Sequence, residues 1–414
     1  MNWWETEFLG VKDNKLWIAG KSAESLAGRY GTPLYVYGKE RILERYARLD
    51  DLLARHSPLP AHICFAMKAN PHRGILRLLQ RRGAWIDAVS PGEVETALKA
   101  GFPAERILFT GTSVGRADLR RVFAIDGLAV NIDAAEQLDL MSEVRRAEFP
   151  AKSIRVFVRW NPGIGRGFNA RVITAGKKSS DGTPVKFGVE DKKVIEVFNR
   201  ARRLGFHPVG LHQHLGSGWV REDFGMVKTA VDRLVRKARE VEKAGFPLEF
   251  LDFGGGFGPR YLKNRSIFPL EDYVAYLSAA VARAGLSVKA LAVEPGKYLV
   301  ADAGVLLLGV EYVKESYGNI FACVDGGTFN TVPRPAIYLQ AHHEIVNASR
   351  IDGEAKARIT VAGNLCETGD VFGRERSMPL PVSGDVLAVL CAGAYCRSMA
   401  SNFNLREIPR EVLI

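Results

Sequence analysis

Lys68 is the residue whose type and position first suggest chemistry. It follows an apolar run at residues 62–67, within the sequence AMKAN. A lysine beside a buried strand loses hydration, so the pKa of its ammonium group falls and the neutral amine can attack an aldehyde. Taken alone, a lysine that reaches solvent from a strand end is the more common explanation. Both interpretations stay open at this point.

Three consecutive glycines, Gly254, Gly255 and Gly256, together with Ser217, could bind a phosphate group. Glycines let backbone N–H groups approach an anion closely, and a serine hydroxyl adds a donor. A tight turn would require the same glycines, so the run alone is weak evidence. A dinucleotide-binding loop is a poorer interpretation, because the chain continues into the sequence Pro-Arg-Tyr at residues 259–261 rather than into a helix.

Glu294 and His214 could contact a planar ring. Glu294 ends an apolar run and precedes a Pro-Gly pair. A carboxylate there could pair with the protonated nitrogen of a pyridine cofactor and keep the ring cationic. His214, in the sequence HQHLGSG, could stack its imidazole on the ring face. A surface carboxylate and a strand-end histidine bonded to the backbone are the ordinary alternatives.

A second polar group lies in the last quarter of the chain, in the sequences RPAIY, CETGD and GAYC. Its members are Arg334, Tyr338, Cys366, Glu367, Asp370 and Tyr395. Two acceptors, a guanidinium and a phenol suit a zwitterionic amino acid, although a hydrogen-bonded loop would explain any one of them. The adjacent pair at residues 342–343 predicts no metal site, because neighbours on a strand face opposite ways. We expect no bound metal.

Alternating apolar and amphipathic segments indicate how these residues are positioned. Eight apolar runs cover residues 62–66, 85–89, 107–110, 128–132, 154–160, 208–212, 248–253 and 291–294. Segments with helical periodicity lie between them, such as 74–82, 92–100, 134–146, 194–204 and 224–244. Parallel strands need crossover connections, and eight of them close a barrel. The sequence therefore predicts an α/β fold with a (β/α)8 TIM barrel, whose function lies at the C-terminal strand ends.

The domain organisation follows from a change of pattern near residue 307. Beyond it, short runs at 310–313, 320–324, 357–361 and 386–392 are separated by Gly and Pro without long helices. This is typical of a β-rich domain, as a β-barrel or sandwich. We expect a barrel at residues 37–306 and a β domain at residues 307–414. Residues 1–36, with a strand-like run at 15–18, are expected to join the β domain.

Composition limits the possible partners and compartments. The chain has 414 residues and a formal charge of +11, but its basic residues are scattered, so no nucleic acid is expected. The five cysteines form no CxxC pair and are odd in number, which favours a reducing cytoplasm over a disulfide framework. Neither a signal peptide nor an apolar run of membrane-spanning length is recognisable, so no membrane partner is expected.

The ordered set AMKAN, DAVSPGE, HQHLGSG, FGGGFG, EPGK, RPAIY, CETGD and GAYC resembles the fold-type III pyridoxal-phosphate-dependent amino-acid decarboxylases. Within that family the chain is most similar to enzymes that act on diaminopimelate, and less similar to those that act on ornithine or arginine. The resemblance covers residues 31–414, including the ending SNFNLREIPREVLI. It implies pyridoxal 5'-phosphate as cofactor and conversion of meso-diaminopimelate to L-lysine and carbon dioxide.

The resemblance also implies a role for each motif. Lys68 would hold the cofactor as a Schiff base, His214 would stack on its ring, and Glu294 would bind the pyridine nitrogen. Further cofactor contacts would come from Asp87, Arg159, Ser217, Gly254, Gly255, Gly256, Gly296, Lys297 and Tyr395, with Glu93 in support. Substrate contacts would come from Lys297, Arg334, Tyr338, Cys366, Glu367 and Tyr395. Cys366 and Glu367 would act across a homodimer, with Cys366 as proton donor.

Two features depart from the family pattern and keep alternatives open. Lys297 stands where the family usually has arginine, and lysine keeps the charge but cannot form a bidentate fork. The segment 166–184 is long and basic. A decarboxylase of lysine, ornithine, arginine or another diamino acid therefore remains an alternative. An amino-acid racemase on this barrel would place arginine at the ring nitrogen, which Glu294 argues against. A non-enzymatic relative is disfavoured by the presence of both Lys68 and Cys366.

Overall fold

A computed structural model describes residues 2–353 and 356–414 of the chain. The chain divides into two compact units. The barrel unit comprises Tyr46–Gly258 and Ser266–Gly296, and the β unit comprises Met1–Arg45, Pro259–Arg265 and Lys297–Ile414. Within the described residues, no helix combines the length and apolar character needed to cross a bilayer.

The N-terminal segment forms a small sheet and two helices. Its elements are β1 (Leu9–Lys12), β2 (Lys15–Ile18), β3 (Lys21–Ser22), α1 (Ala23–Tyr30), β4 (Leu34–Tyr37) and α2 (Lys39–His56). The strands β1, β2 and β3 pair antiparallel in that order. The side chain of Ser22 caps α1 by accepting a hydrogen bond from Ser25 N. The strand expected at residues 15–18 is confirmed as β2.

Eight parallel strands form the closed barrel of the barrel unit. They are β5 (Ala61–Ala66), β6 (Trp85–Ala88), β7 (Ile107–Phe109), β8 (Ala129–Ile132), β9 (Ile154–Arg159), β10 (Phe206–His212), β11 (Phe250–Asp252) and β12 (Ala290–Val293). Consecutive strands are neighbours, and β12 pairs with β5 to close the barrel. Each strand overlaps one of the eight predicted apolar runs. The predicted fold class is confirmed.

Helices connect the barrel strands. They are α3 (Arg73–Arg81), α4 (Pro91–Lys99), α5 (Arg116–Phe123), α6 (Gln137–Glu148), α7 (Val194–Arg203), α8 (Phe224–Lys243) and α9 (Leu270–Ala284). The buried residues of α8 include Val227, Val231, Leu234 and Val241, which share one face because they recur every three or four residues or multiples of that spacing. Burying such a side chain stabilises the fold by about 1.5–3 kcal/mol.

The C-terminal part completes the β unit. Its elements are α10 (Lys297–Val300), β13 (Gly304–Ser316), β14 (Asn319–Val324), α11 (Arg334–Ile337), β15 (Ile345–Asn347), β16 (Lys356–Ala362), β17 (Val371–Pro379), β18 (Val386–Val389) and β19 (Arg410–Leu413). One mixed sheet runs β15-β18-β13-β14-β16-β17, and β4 joins it by pairing with β13 and β19. Leu34, Val36, Val305 and Leu307 belong to its buried apolar core.

Candidate active site

Lys68 lies directly after the first barrel strand, in the short 3-10 turn Met67–Ala69. Its Nζ pairs with a carboxylate oxygen of Asp87, which is buried near the end of β6. The other oxygen of Asp87 accepts a hydrogen bond from Thr110 Oγ1. The Lys68 side chain keeps 33% of its surface exposed. A buried carboxylate therefore orients this amine at the C-terminal end of the barrel, rather than leaving it directed into bulk solvent.

Glu294 follows β12 and is buried. Its Oε2 lies 3.3 Å from His212 Nε2 and 3.7 Å from His214 Nδ1. Its Oε1 has no hydrogen-bond partner among the described residues. Burial opposes ionisation, but His212, Lys68 and Arg159 outweigh it, so the pKa of Glu294 lies below its usual value. Glu294 is therefore a buried anion with one oxygen available, and the surface-carboxylate alternative is wrong.

His214 is held as a neutral ring beside Glu294. Burial, together with the positive charges of Lys68 and Arg159, lowers its pKa well below the usual value. Gly255 N donates to His214 Nδ1 at 3.2 Å, so Nδ1 is the acceptor nitrogen. A neutral, oriented imidazole of this kind can pack against a planar ring without adding charge to the site.

The glycines after β11 occupy positions where a side chain would not fit. A Cβ atom at Gly254 or Gly255 would lie 2.4 or 2.0 Å from a carbonyl oxygen of a neighbouring strand end. Gly254 (φ 68°) and Gly256 (φ 132°) also adopt conformations that favour glycine. Gly218 N donates to Gly256 O at 2.7 Å, so the loop that contains Ser217 lies beside the glycines. The residues expected to bind phosphate are therefore brought together.

Arg159 ends β9 and places a buried guanidinium in the barrel unit. Its guanidinium lies 3.5 Å from Asp133 Oδ1 and 4.5 Å from the ring centre of Phe187. Burial lowers the pKa of Arg159, while Asp133 and Glu294 oppose that shift. Glu93 has a local contact as well: its carboxylate accepts a hydrogen bond from Val89 N at 2.8 Å, at the start of α4.

The long segment 166–184 packs beside the loop that contains Ser217. Arg166 N donates to Leu215 O at 3.0 Å, and Phe168 N donates to Ser217 O at 2.9 Å. Arg166 also forms an ion pair with Asp223 at 2.6 Å. This segment therefore supports one wall of the glycine-rich region.

Sequence reasoning missed three polar groups inside the barrel. Asn131 on β8 and Asp252 on β11 are buried, and no role was predicted for His212. Each stands in an otherwise apolar strand, in the sequences AVNI, FLD and FHPVGLH. A polar residue in a buried strand is the signal that would have indicated them, because such a group must find a partner.

In the β unit, Lys297 begins α10 and is buried. Its Nζ lies 5.5 Å from the ring centre of Tyr395. Burial and the nearby charge of Arg334 lower the pKa of Lys297 well below the usual value for lysine. Three residues predicted to contact cofactor or substrate are thus close together in this unit.

Arg334 begins α11 and is also buried. It donates to His343 Nε2 at 3.0 Å, and its guanidinium lies 4.7 Å from the ring centre of Tyr261. His343 Nδ1 donates to Leu390 O at 2.8 Å, which leaves Nε2 as the acceptor. Burial, followed by the charge of Arg334, lowers the pKa of His343 well below its usual value. A neutral histidine and a tyrosine ring therefore help to orient the guanidinium.

Tyr338, Cys366 and Glu367 occupy the remaining predicted positions. Tyr338 follows α11 and is half-buried, whereas Cys366 and Glu367 are exposed. Their loop is fixed by Asp370, whose oxygens accept hydrogen bonds from Thr328 N at 2.6 Å and Leu365 N at 2.8 Å. The cysteine and the glutamate are thus presented at the surface of the β unit on an ordered loop.

Pyridoxal phosphate carries an aldehyde, a phosphate and a protonatable ring nitrogen, and the barrel unit offers a group for each. These are the amine of Lys68, the glycine-rich region, and the buried Oε1 of Glu294, which lacks a partner among the described residues. The fold and these residues define a barrel enzyme that binds pyridoxal phosphate.

Comparison with known proteins supports the assignment to enzymes that bind pyridoxal phosphate. Residues 39–301 match the family described as "Pyridoxal-dependent decarboxylase, pyridoxal binding domain". The chain belongs to this family and is a pyridoxal-phosphate-dependent carboxy-lyase. The family resemblance inferred from the motifs is thereby confirmed.

Relatives named diaminopimelate decarboxylase match nearly the whole chain. The protein from Methanothermobacter thermautotrophicus is 41% identical, over 96% of this chain and 90% of its own length. The protein from Aquifex aeolicus is 34% identical, over 98% of this chain and 92% of its own length. A crystal structure of diaminopimelate decarboxylase from Methanocaldococcus jannaschii in complex with L-lysine has a TM-score of 0.89 and 30% identity, covering 99% of this chain and 93% of that one.

Proposed function

We propose that this enzyme converts meso-diaminopimelate to L-lysine and carbon dioxide. The observation that carries the proposal is the match of nearly the whole chain to relatives named diaminopimelate decarboxylase, together with a solved structure that binds L-lysine. The reaction removes one carboxylate as carbon dioxide and adds one proton to the α-carbon. When bound, pyridoxal phosphate supplies an electron-withdrawing ring conjugated to that carbon.

The test is direct turnover with added cofactor. We expect one lysine and one carbon dioxide per meso-diaminopimelate consumed, and no comparable turnover of lysine, ornithine or arginine. Turnover of one of those three but not of diaminopimelate would refute the substrate assignment. That alternative is kept because Lys297 replaces the family arginine. Amino-acid inversion without carbon dioxide release would instead indicate a racemase.

In the barrel unit, we propose that Lys68 forms the covalent link to the cofactor aldehyde and that Glu294 binds the ring nitrogen. His214 packs on the ring face, and Asp87 orients the lysine amine through their ion pair. Phosphate contacts come from Ser217 and from the glycines Gly254, Gly255, Gly256 and Gly296. Arg159 adds positive charge. The support is the common placement of these groups at the C-terminal strand ends.

In the β unit, we propose that Lys297, Arg334 and Tyr338 bind substrate, and that Tyr395 lies close to the cofactor. The supporting observation is the burial of two basic side chains, Lys297 and Arg334, in one region. Buried cations favour a ligand that brings negative charge, and a second carboxylate distinguishes diaminopimelate from lysine.

We propose that the enzyme is a homodimer in which Cys366 and Glu367 complete the active site of the partner subunit, with Cys366 donating the proton. Both residues are exposed, and Cys366 N bonds to Asn404 Oδ1 at 2.9 Å. The residues that flank Asn404 are exposed and apolar: Leu405 is 93% exposed and Phe403 43% exposed. Such a surface favours association with a second protein surface.

A subunit-mixing experiment tests this arrangement. Lys68→Ala and Cys366→Ala are each expected to be inactive, but a randomly mixed dimer population should recover about a quarter of wild-type activity. A shared site leaves one intact site in each mixed dimer. Failure to recover activity, with mixed dimers demonstrated by tagged purification, would contradict the proposal.

We propose a cytoplasmic location, supported by five free cysteines among the described residues. We also propose the functional division expected from the sequence, with residues 37–306 as the cofactor-binding domain, residues 307–414 as the β domain, and residues 1–36 joined to it. Cell fractionation tests the location, and limited proteolysis tests the division.

A further inference from the structure

Two carboxyl groups lie side by side in the barrel, and the proposed function uses only one of them. Asp252 ends β11, and Glu294 follows the adjacent strand β12. One oxygen of each and one ring nitrogen of His212 lie within 4.8 Å of one another. Asp252 Oδ2 and Glu294 Oε1 are both buried, and neither has a hydrogen-bond partner among the described residues.

A proton shared between the two carboxyl groups would give both unpartnered oxygens a hydrogen bond. Two buried carboxylates this close together each disfavour the ionisation of the other. Burial and the charge of Glu294 raise the pKa of Asp252 well above its usual value. The pKa of Glu294 is lowered, because His212 and two nearby cations outweigh its burial. These opposite shifts favour a protonated Asp252 beside an ionised Glu294.

The surrounding charges support this assignment. The titratable groups that face the pair are Cys64 on β5, Lys68 after β5, Asp87 on β6, Arg159 on β9, His212 and His214 at the end of β10, and Tyr273 on α9. Lys68 and Arg159 both lower the pKa of Glu294, whereas the charge of Asp87 further raises the pKa of Asp252. The two carboxyl groups are thus driven to opposite protonation states.

Asn131 determines which ring nitrogen of His212 donates to Glu294. Glu294 only accepts hydrogen bonds, so His212 Nε2, at 3.3 Å, must be its protonated nitrogen. The amide nitrogen of Asn131 lies 2.8 Å from His212 Nδ1, so Nδ1 accepts a hydrogen bond from Asn131. Asn131 therefore selects the ring tautomer that donates to Glu294.

We propose that Asp252 and Asn131 are positioning residues that keep one negative charge on Glu294, where the nitrogen of the cofactor binds. Asp252 supplies the proton that prevents a second charge, and Asn131 orients His212 as a donor. A carboxylate oxygen has two acceptor positions, so Glu294 Oε1 can accept from both Asp252 and a ring N–H. The inference rests on the proposed role of Glu294.

The test for Asp252 compares Asp252→Asn with Asp252→Ala. Asparagine keeps the acceptor for Gly254 N, which lies 2.9 Å from Asp252 Oδ1, and also keeps a donor toward Glu294. We expect Asp252→Asn to bind pyridoxal phosphate within about 3-fold of wild type, and Asp252→Ala to bind about 10-fold or more weakly. Equal weakening in both variants would show that an ionised aspartate is required, and would overturn the proposal.

The apoenzyme gives a readout that is independent of cofactor and substrate. Because the folded pKa of Asp252 is raised, its contribution to stability is present below the unfolded value of about 3.9 and is lost as pH rises. The difference in melting temperature, apo Asp252→Asn minus wild-type apoenzyme, should therefore increase by about 2 °C or more from pH 5 to pH 8. A pH-independent difference, or a stoichiometric divalent metal in the purified protein, would overturn the shared proton.

The test for Asn131 is Asn131→Asp, which replaces the donor with an acceptor. We expect cofactor binding to weaken about 10-fold or more. We also expect a shift in the pH at which the absorbance of the bound cofactor changes. The matched control is Asn319→Asp, an exposed asparagine at the start of β14, which should leave cofactor binding and the absorbance change unaltered. Unaltered cofactor binding and absorbance in Asn131→Asp would refute the role of Asn131.

These outcomes separate the inference from the proposed function. If Glu294→Gln binds the cofactor normally, the role of Glu294 fails, whereas the apoenzyme measurement on Asp252 still reports the shared proton. If diaminopimelate is not a substrate, neither measurement changes.

Discussion

The barrel unit and the β unit both bury charged side chains, but they stabilise them differently. In the barrel unit, Lys68 pairs with Asp87, and Arg159 lies near Asp133. In the β unit, the described contacts of Arg334 include a neutral histidine and the ring of a tyrosine.

This difference in how buried charges are stabilised indicates that the two units suit different ligands. Paired ions in the barrel unit leave positive and negative groups at fixed places, which suits a cofactor that carries both signs of charge. Two neighbouring basic residues, Lys297 and Arg334, are buried in the β unit, and buried basic side chains gain from an anionic ligand. This contrast agrees with the proposed division between cofactor and substrate binding.

The largest expected effect is from Lys68→Ala in the barrel unit. Activity should fall by about 1,000-fold or more, because the amine proposed to form the covalent link is removed. Borohydride reduction of wild-type holoenzyme should trap one cofactor per chain, and the variant should trap none. Lys237→Ala is the control, because that lysine pairs with Asp191 and Glu240 on the outer helices and should still allow labelling. Persistent labelling of Lys68→Ala would identify another lysine.

A smaller effect is expected from Arg334→Gln in the β unit. Loss of a charged hydrogen bond to a substrate carboxylate should raise KM about 10–100-fold, while the absorbance of the bound cofactor stays unchanged. Arg374→Gln is the matched control, because Arg374 is an exposed arginine on β17 of the same unit. If Arg334→Gln lost the cofactor but kept its KM, the proposed division between the units would be wrong.

Lys297→Arg tests the charge of the β unit through the pH dependence of KM. The pKa of Lys297 is lowered by burial and by Arg334, so its positive charge is lost as pH rises at a lower pH than for an ordinary lysine. KM of the wild type should therefore rise with pH above neutrality, by up to about 10-fold. Arginine stays charged, so the ratio of wild-type to variant KM should increase with pH. A constant ratio would show that the Lys297 charge does not contribute to binding.

The smallest effect concerns stability. Burial lowers the pKa of both His214 and His343, one in each unit. Their unfolded value is about 6.5, so the stability associated with the neutral rings is present above that pH and is lost as pH falls below it. The two histidines should therefore lower the urea midpoint of the apoenzyme at pH 5 relative to pH 7.5, opposite in sign to the contribution of Asp252. His343→Gln should reduce this loss, whereas the exposed His207→Gln should not. An unchanged loss in His343→Gln would contradict the assignment.

The candidate site was predictable where chemistry coincides with a strand end. Lys68, His214 and Glu294 were placed correctly at C-terminal strand ends, because parallel strands must direct those ends to one side. Asn131 and Asp252 were not predicted, since a polar residue within a strand gives no indication of which neighbour it will meet. That neighbour depends on strand register, which pairs Asp252 with Ala292, two residues before Glu294.

By itself, the sequence determined the eight barrel strands, their alternation with helices, the β-rich tail and the order of the motifs. It could do so because hydrophobic periodicity and local turn residues act over short distances. Only the tertiary structure decided which charges are buried together: Lys68 with Asp87, Asp252 with Glu294, and Lys297 near Arg334. The physical reason is that protonation depends on burial and on neighbours distant in sequence, and both exist only after the barrel has closed and the sheets have packed.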